Sequence, residues 1–121
     1  MLYVAAALLV ALAVGHSVLG ERYVLRVILA SDQLPVLFGR VSFTRAIVRY
    51  AWHILSILAL GFAALLVLIA LGASRSALLV AMGATFVVAG LFPLIQTRGR
   101  HLAWVLLIGA GALCIVAALA P

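Results

Sequence analysis

The sequence predicts an all-α integral membrane protein: a four-helix transmembrane bundle, up-down-up-down, with both termini on the non-cytoplasmic side. Three observations carry that expectation. First, 69% of the 121 residues are hydrophobic and only ten are charged, eight Arg and two acids. A soluble domain carries about 45–50% apolar and about 25% charged residues. The mean hydropathy is +1.44, and a chain this short cannot bury that much apolar surface away from water. Second, four charge-free windows succeed one another: Met1–Gly20, Tyr50–Ser74, Ser76–Thr97 and His101–Pro121. Each reaches the roughly 20 residues a helix needs to cross the hydrocarbon core. Third, seven of the eight Arg fall on one side of the resulting topology. The length fits one domain, here a single transmembrane domain over 1–121.

The first span is expected at about 2–19. Ala11-Leu12-Ala13 offers a signal-peptidase-like pattern, but no positive n-region precedes it, so a retained span is expected. The connection 21–49 is read as cytoplasmic and amphipathic. After a break at Gly20, Arg22 and Arg26 would share one face of a short interfacial helix. Ser31-Asp32-Gln33-Leu34-Pro35 reads as a turn, and Ser42 or Thr44 can cap the next helix, with Arg45 and Arg49 on an outward stripe. The second span is expected at 50–72 and the third at 76–95, with Pro93 kinking it or ending it early. The fourth is expected at 101–120. The short turns Gly72–Arg75 and Gln96–Arg100 make consecutive helices antiparallel neighbours. In lipid the backbone must satisfy itself, which selects helices here. Arg22, Arg26, Arg40, Arg45, Arg49, Arg98 and Arg100 against Arg75 orient the chain by the positive-inside rule.

Small residues recur every fourth position: Ala7, Ala11 and Gly15; Ala77, Ala81, Thr85 and Ala89; Ala110, Cys114 and Ala118. Such stripes let helix backbones approach in lipid. They serve packing inside one bundle or contact with a second protomer or larger partner. Leu65-Leu66-Val67-Leu68-Ile69 is expected to meet lipid, and Trp52 and Trp104 to sit at the cytoplasmic interface. Cys114 is alone, so no intramolecular disulfide can form.

One polar constellation stands out: His16, Ser17, Glu21, Arg49, His53, Arg100 and His101. His53 lies four residues past Arg49, about 6 Å deeper, and His16 six before Arg22, about 9 Å deeper. Polar groups within a span are costly and often functional. Four readings stay open. The histidines and Glu21 serve helix–helix hydrogen bonds and an Arg pair. They hold a transition metal, with His16, His53, His101 and Glu21 as candidate ligands. His16 and His53 hold a b-type haem. Or the Arg set (Arg22, Arg26, Arg45, Arg49, Arg98, Arg100) binds an anion, a lipid headgroup or an acidic partner, tuned by histidine protonation.

No catalytic signature accompanies these residues. Ser17 and His16 point about 100° apart on a helix, and Glu21 is the only carboxylate nearby. Gly109-Ala110-Gly111 follows no strand, which removes a dinucleotide-binding reading. The basic residues bound apolar runs, which argues against a nucleic-acid partner. The sequence therefore predicts a small non-enzymatic membrane subunit in the cytoplasmic (inner) membrane of a bacterium. It would be oligomer-forming or accessory, with an Arg/His-rich cytoplasmic face for anionic lipid or an acidic partner. The alternatives are a haem- or metal-binding redox or transport protein centred on His16 and His53, and a channel or transporter formed between subunits.

Overall fold

A computed structural model describes residues 1–120 as four helices: α1 (Leu2–Leu29), α2 (Val41–Ala70), α3 (Arg75–Thr97) and α4 (Ala103–Leu119). Among the described residues there is no strand, only an isolated bridge between Leu37 and Arg40. The first three helices are long and apolar enough to cross a membrane, with mean hydropathy of 2.2, 2.6 and 2.3 over their apolar windows. The fourth is apolar but shorter. It starts at Ala103 rather than 101, and its 17 residues give about 25 Å of rise.

The expected break at Gly20 does not occur. Gly20 keeps helical angles (φ −61°, ψ −47°), and the chain passes through one π turn, Gly20–Leu25, into a last α-helical turn, Arg26–Leu29. The backbone N–H of Arg26 donates to Glu21 O, the i→i+5 bond that defines such a turn. Glycine weakens a helix by only about 1 kcal/mol, and Gly20 is buried against Trp52, which shields its backbone from competing water. α1 is therefore one 28-residue rod, about 42 Å long, not a span followed by a separate interfacial helix.

The connection shrinks accordingly to 30–40. It closes on a tight turn with Phe38 (φ 50°) and Gly39 (φ 75°) at its centre, and Arg40 N–H donates to Leu37 O at 3.1 Å. Two successive left-handed residues mark a turn of the I′ kind, which glycine adopts freely and phenylalanine does not. Arg40 is the N-cap of α2 and makes no side-chain cap bond, so neither Ser42 nor Thr44 caps it. Thr44 ties the connection down instead: its hydroxyl donates to Pro35 O (2.6 Å) and accepts from Leu37 N–H (3.3 Å). α2 thus begins at Val41, next to the cap positions expected at Ser42 or Thr44 and ahead of the span expected from Tyr50.

α3 is capped by Ser74, whose hydroxyl accepts from Ala77 N–H at 3.2 Å. Pro93 does not end it: the helix continues to Thr97. Thr97 Oγ1 donates to Pro93 O (2.6 Å) and accepts from His101 N–H (3.1 Å). Both bonds stitch the turn after the proline to the start of the next segment. The helix stops where Arg98 turns left-handed and Gly99 N–H reaches back to Leu94 O at 2.8 Å, a common helix-ending device.

The helices pack as a row. α1 lies on α2, α2 on α3, and α3 on α4, while α1 and α3 make at most glancing contact. The contact faces are lined by the smallest side chains. On α1 they are Ala6, Ala13 and Gly20, all buried, and not the stripe Ala7, Ala11, Gly15. Ala7 and Ala11 are exposed, and a Cβ on Gly15 would meet nothing. On α3, Ala77, Ala81 and Thr85 are half-buried and Ala89 is fully buried; Thr85 fills the space a Gly61 side chain would need. Toward α4 the contact is glycine on backbone: a Cβ on Gly83 would stand 2.7 Å from Gly111 O, and one on Gly111 2.6 Å from Gly83 O. On α4, Ala110 is exposed, Cys114 half-buried and Ala118 buried. Of the run Leu65–Ile69, expected to face lipid, only Ile69 is exposed.

Gly111→Ala forces the α3 and α4 backbones apart and should cost about 1–3 kcal/mol, as overpacking does. Leu106→Ala, at a position 77% exposed, should change stability by less than about 0.5 kcal/mol. Melting both variants in mild detergent orders the two effects; the reverse order would refute the assigned faces.

Candidate functional site

The polar residues of α1 and α2 meet in one connected chain. The π turn makes this possible. In a 3.6-residue helix a four-spaced row rotates steadily away from its partner; the wider i→i+5 turn slows that drift, and Ser17, Glu21 and Leu29 all meet α2. Leu25 is fully buried and Leu29 nearly so. Opposite them, Arg49, His53 and Ser56 occupy one face of α2 at helical spacing.

Glu21 takes two bonds from the Arg49 fork, Nη2 to Oε1 at 2.8 Å and Nε to Oε2 at 3.1 Å. His53 Nε2 lies 3.2 Å from the same Oε2. His53 Nδ1 is 2.9 Å from Ser17 Oγ, which is 2.9 Å from Ser56 Oγ. Ser17 Oγ donates to Ser56 Oγ, and the donor and acceptor roles of the two His53 nitrogens follow the ring's tautomer. The pair is charge-neutral and bidentate, the strong form of such a contact. Glu21 and Arg49 each keep about a third of their side chains exposed.

A second α1–α2 contact sits directly beside the first, one residue along on each helix. The His16 and Trp52 rings stack 4.6 Å apart at 6°. Trp52 Nε1 donates to His16 O (3.0 Å), while His16 Nε2 lies 3.2 Å from Trp52 O. A Cβ on Gly20 would overlap the Trp52 indole, so glycine is what lets the ring lie flat on α1. His101 has different company: its ring lies 5.6 Å from Tyr50, which also neighbours Phe92 at 6.2 Å.

The expected constellation therefore divides. Glu21, Arg49, His53 and Ser17 come together; His16 joins Trp52, and His101 joins Tyr50. The geometry gives the haem and metal readings no support. His16 Nε2 is engaged with a backbone carbonyl and both His53 nitrogens have partners. Among the described residues no group of three His, Cys, Asp or Glu stands together to hold a metal ion. Sequence reasoning undervalued Ser56, Trp52 and Gly20; the i, i+4, i+7 spacing of Arg49, His53 and Ser56 was the available signal.

The remaining Arg residues line two grooves. Arg26 and Arg45, neither paired with a carboxylate, join Arg49 in one of about 310 Å³ with Leu29 and Ala30. Arg40, Arg98 and Arg100 line another of about 370 Å³ with Ser42, Gln96 and Thr97. Among the described residues Arg49 is the only Arg in an ion pair. The Arg22 guanidinium lies over its neighbour Tyr23 at 5.4 Å. No protein family, curated relative or solved structure matches the chain.

Glu21→Gln strips the charged acceptor from Arg49 and His53. Because the pair is partly exposed, the expected cost is about 1 kcal/mol. Arg45→Gln, with no ion-pair partner, should cost less. In a double-mutant cycle Glu21→Gln and Arg49→Gln together should cost less than the sum of the two; strict additivity would show that the pair contributes nothing.

Proposed function

We propose that this chain is a small non-enzymatic integral membrane protein whose Arg-rich end binds anionic lipid headgroups, seating it as an oligomer-forming or accessory subunit. The observation that carries this reading is the pair of Arg-lined grooves at one end of the helix row. Arg40, Arg98 and Arg100 converge from two connections that are far apart in sequence, and none has a carboxylate partner among the described residues. Ser42 and Thr97 add hydroxyls. Guanidinium groups match phosphodiester oxygens in bidentate geometry, and a phosphate-bearing surface is the anion that a membrane supplies at that depth.

The same end gathers the close of α1, the start of α2, the close of α3 and the start of α4, through Glu21–Arg49, the Arg40–Thr97 groove and His101–Tyr50. Those juxtapositions support the up-down-up-down topology. Seven Arg at this end against Arg75 at the other support a cytoplasmic Arg-rich face with both termini outside. α1 leans on a single neighbour, and its outward stripe of Ala7, Ala11 and Gly15 leaves a face on which another membrane helix can close.

The test is thermal unfolding in neutral detergent with added lipid. Dioleoylphosphatidylglycerol should raise the melting temperature and dioleoylphosphatidylcholine should not. Saturation at 100 times Kd corresponds to about 2.7 kcal/mol of stabilisation. Arg98→Gln with Arg100→Gln should remove most of the shift. Inorganic phosphate reproducing the whole effect would assign the grooves to a free anion instead. Equal response to both lipids, together with monomer as the sole species in native mass spectrometry, would overturn the proposal.

A further inference from the structure

Because α1 and α3 both rest on α2 but barely touch each other, a cleft of about 650 Å³ opens between them, floored by α2. Its volume and character match the general pattern of small-molecule sites: about 300–1,000 Å³, mostly apolar, with a few convergent polar groups. The apolar walls are Val14 and Val18 from α1, Ile57 and Leu60 from α2, and Phe92 from α3. Val14, Val18 and Leu60 are 54%, 58% and 46% exposed, so in a membrane the cleft opens sideways into lipid.

Its polar end limits what can occupy it. Glu21 and Arg49 cancel one another's charge in a bidentate pair, so neither a phosphate nor an ammonium meets an unbalanced charge here. The Arg grooves differ in this respect. Hydrogen-bonding capacity remains, however. A carboxylate has about four acceptor sites, and Glu21 uses three, two for Arg49 and one for His53. Across the cleft, Gln96 from α3 lines the same end. Among the described residues its amide makes no side-chain hydrogen bond. An acceptor on one wall and an amide donor on the other suit a hydroxyl, which donates once and accepts as well.

We propose that this lateral cleft binds an uncharged, hydroxyl-headed lipid of the acylglycerol class. Its head hydroxyl donates to Glu21 and accepts from the Gln96 amide. Its acyl chain lies along Val14, Val18, Ile57 and Leu60. A polar head in lipid seeks hydrogen-bond partners because the hydrocarbon offers none, and the chain gives up little by exchanging lipid contact for wall contact.

The experiment is photolabelling of the full chain in phosphatidylcholine nanodiscs with 1-oleoylglycerol carrying a diazirine on its acyl chain. Label should concentrate on the segments bearing Val14–Val18 and Ile57–Leu60. Unlabelled 1-oleoylglycerol should compete; methyl oleate, which has no hydroxyl, should not. Gln96→Leu should lower labelling about fivefold, the loss of one hydrogen bond of ordinary strength. Leu60→Trp or Val18→Trp, each filling the cleft, should abolish it, with circular dichroism confirming that helix content is kept. Arg98→Gln with Arg100→Gln should leave labelling unchanged, which separates this site from the headgroup grooves. Equal labelling of Leu106 and Leu113 on α4, or competition by methyl oleate, would mean contact with bulk lipid only and overturn the proposal.

Discussion

Close backbone approach is the constraint from which the rest follows. Three of the helices are long and apolar enough to cross a membrane; there lipid tails are as apolar as leucine, so burying leucine between two helices gains little and cohesion comes from van der Waals fit and interhelical hydrogen bonds. Both demand that side chains shrink at the crossing. Gly20 admits the Trp52 indole, Gly61 admits Thr85, and Gly83 and Gly111 bring two backbones against each other. The Trp52–His16 contact on Gly20 fixes α1 at a distance from α2 short enough for Ser17 and Glu21 to reach His53 and Arg49. Without that approach the polar chain on the same helix pair would be stranded.

The π turn adds a second condition. A carboxylate at the edge of a hydrocarbon region is tolerated only when paired, and pairing needs the right rotation as well as the right distance. Inserting one wide turn at Gly20–Leu25 corrects the drift between a straight helix and its neighbour. The correction keeps Leu25 and Leu29 buried below the site while Glu21 faces Arg49. Single π turns inside α-helices recur at functional sites. Here the turn lies where an all-apolar span gives way to a charged extension.

Helix number and approximate placement were legible because they depend on long charge-free windows alone. The end of α1 was not. A sequence shows where charge begins, but a helix ends where its hydrogen bonds end, so α1 runs eight residues past Glu21 without the expected break at Gly20. The start of α2 was legible to within a few residues: a cap at Ser42 or Thr44 was expected and the helix begins at Val41. The packing faces were half legible for a related reason. The expected stripes repeat at four, whereas buried small residues repeat at seven: Ala6, Ala13, Gly20 on α1; Gly83, Gly90, Thr97 on α3; Gly111, Ala118 on α4. A seven-residue repeat is the signature of left-handed coiling, the commoner mode of membrane bundles. In a chain this rich in alanine the four-spaced pattern arises too easily to discriminate. The site was legible in its residues and not in its partition, since nothing in the sequence tells that His16 turns to Trp52 while His53 turns to Glu21.

Charge is graded along the helix row, and the grading separates two kinds of chemistry. Where the chain enters the apolar region its one available carboxylate is placed against Arg49, so the inner polar surface is neutral and rich in hydrogen-bonding groups. Farther out, Arg26, Arg45, Arg40, Arg98 and Arg100 stand without acids, and the surface is cationic. Asp32, the only other acid, lies in the exposed connection and forms no ion pair among the described residues. A single carboxylate spent differently would erase the distinction: pairing Glu21 with an outer arginine would leave Arg49 uncompensated near hydrocarbon. The bidentate geometry at Arg49, held by His53 from the same helix face, is what fixes the boundary between a neutral interior cleft and a basic rim.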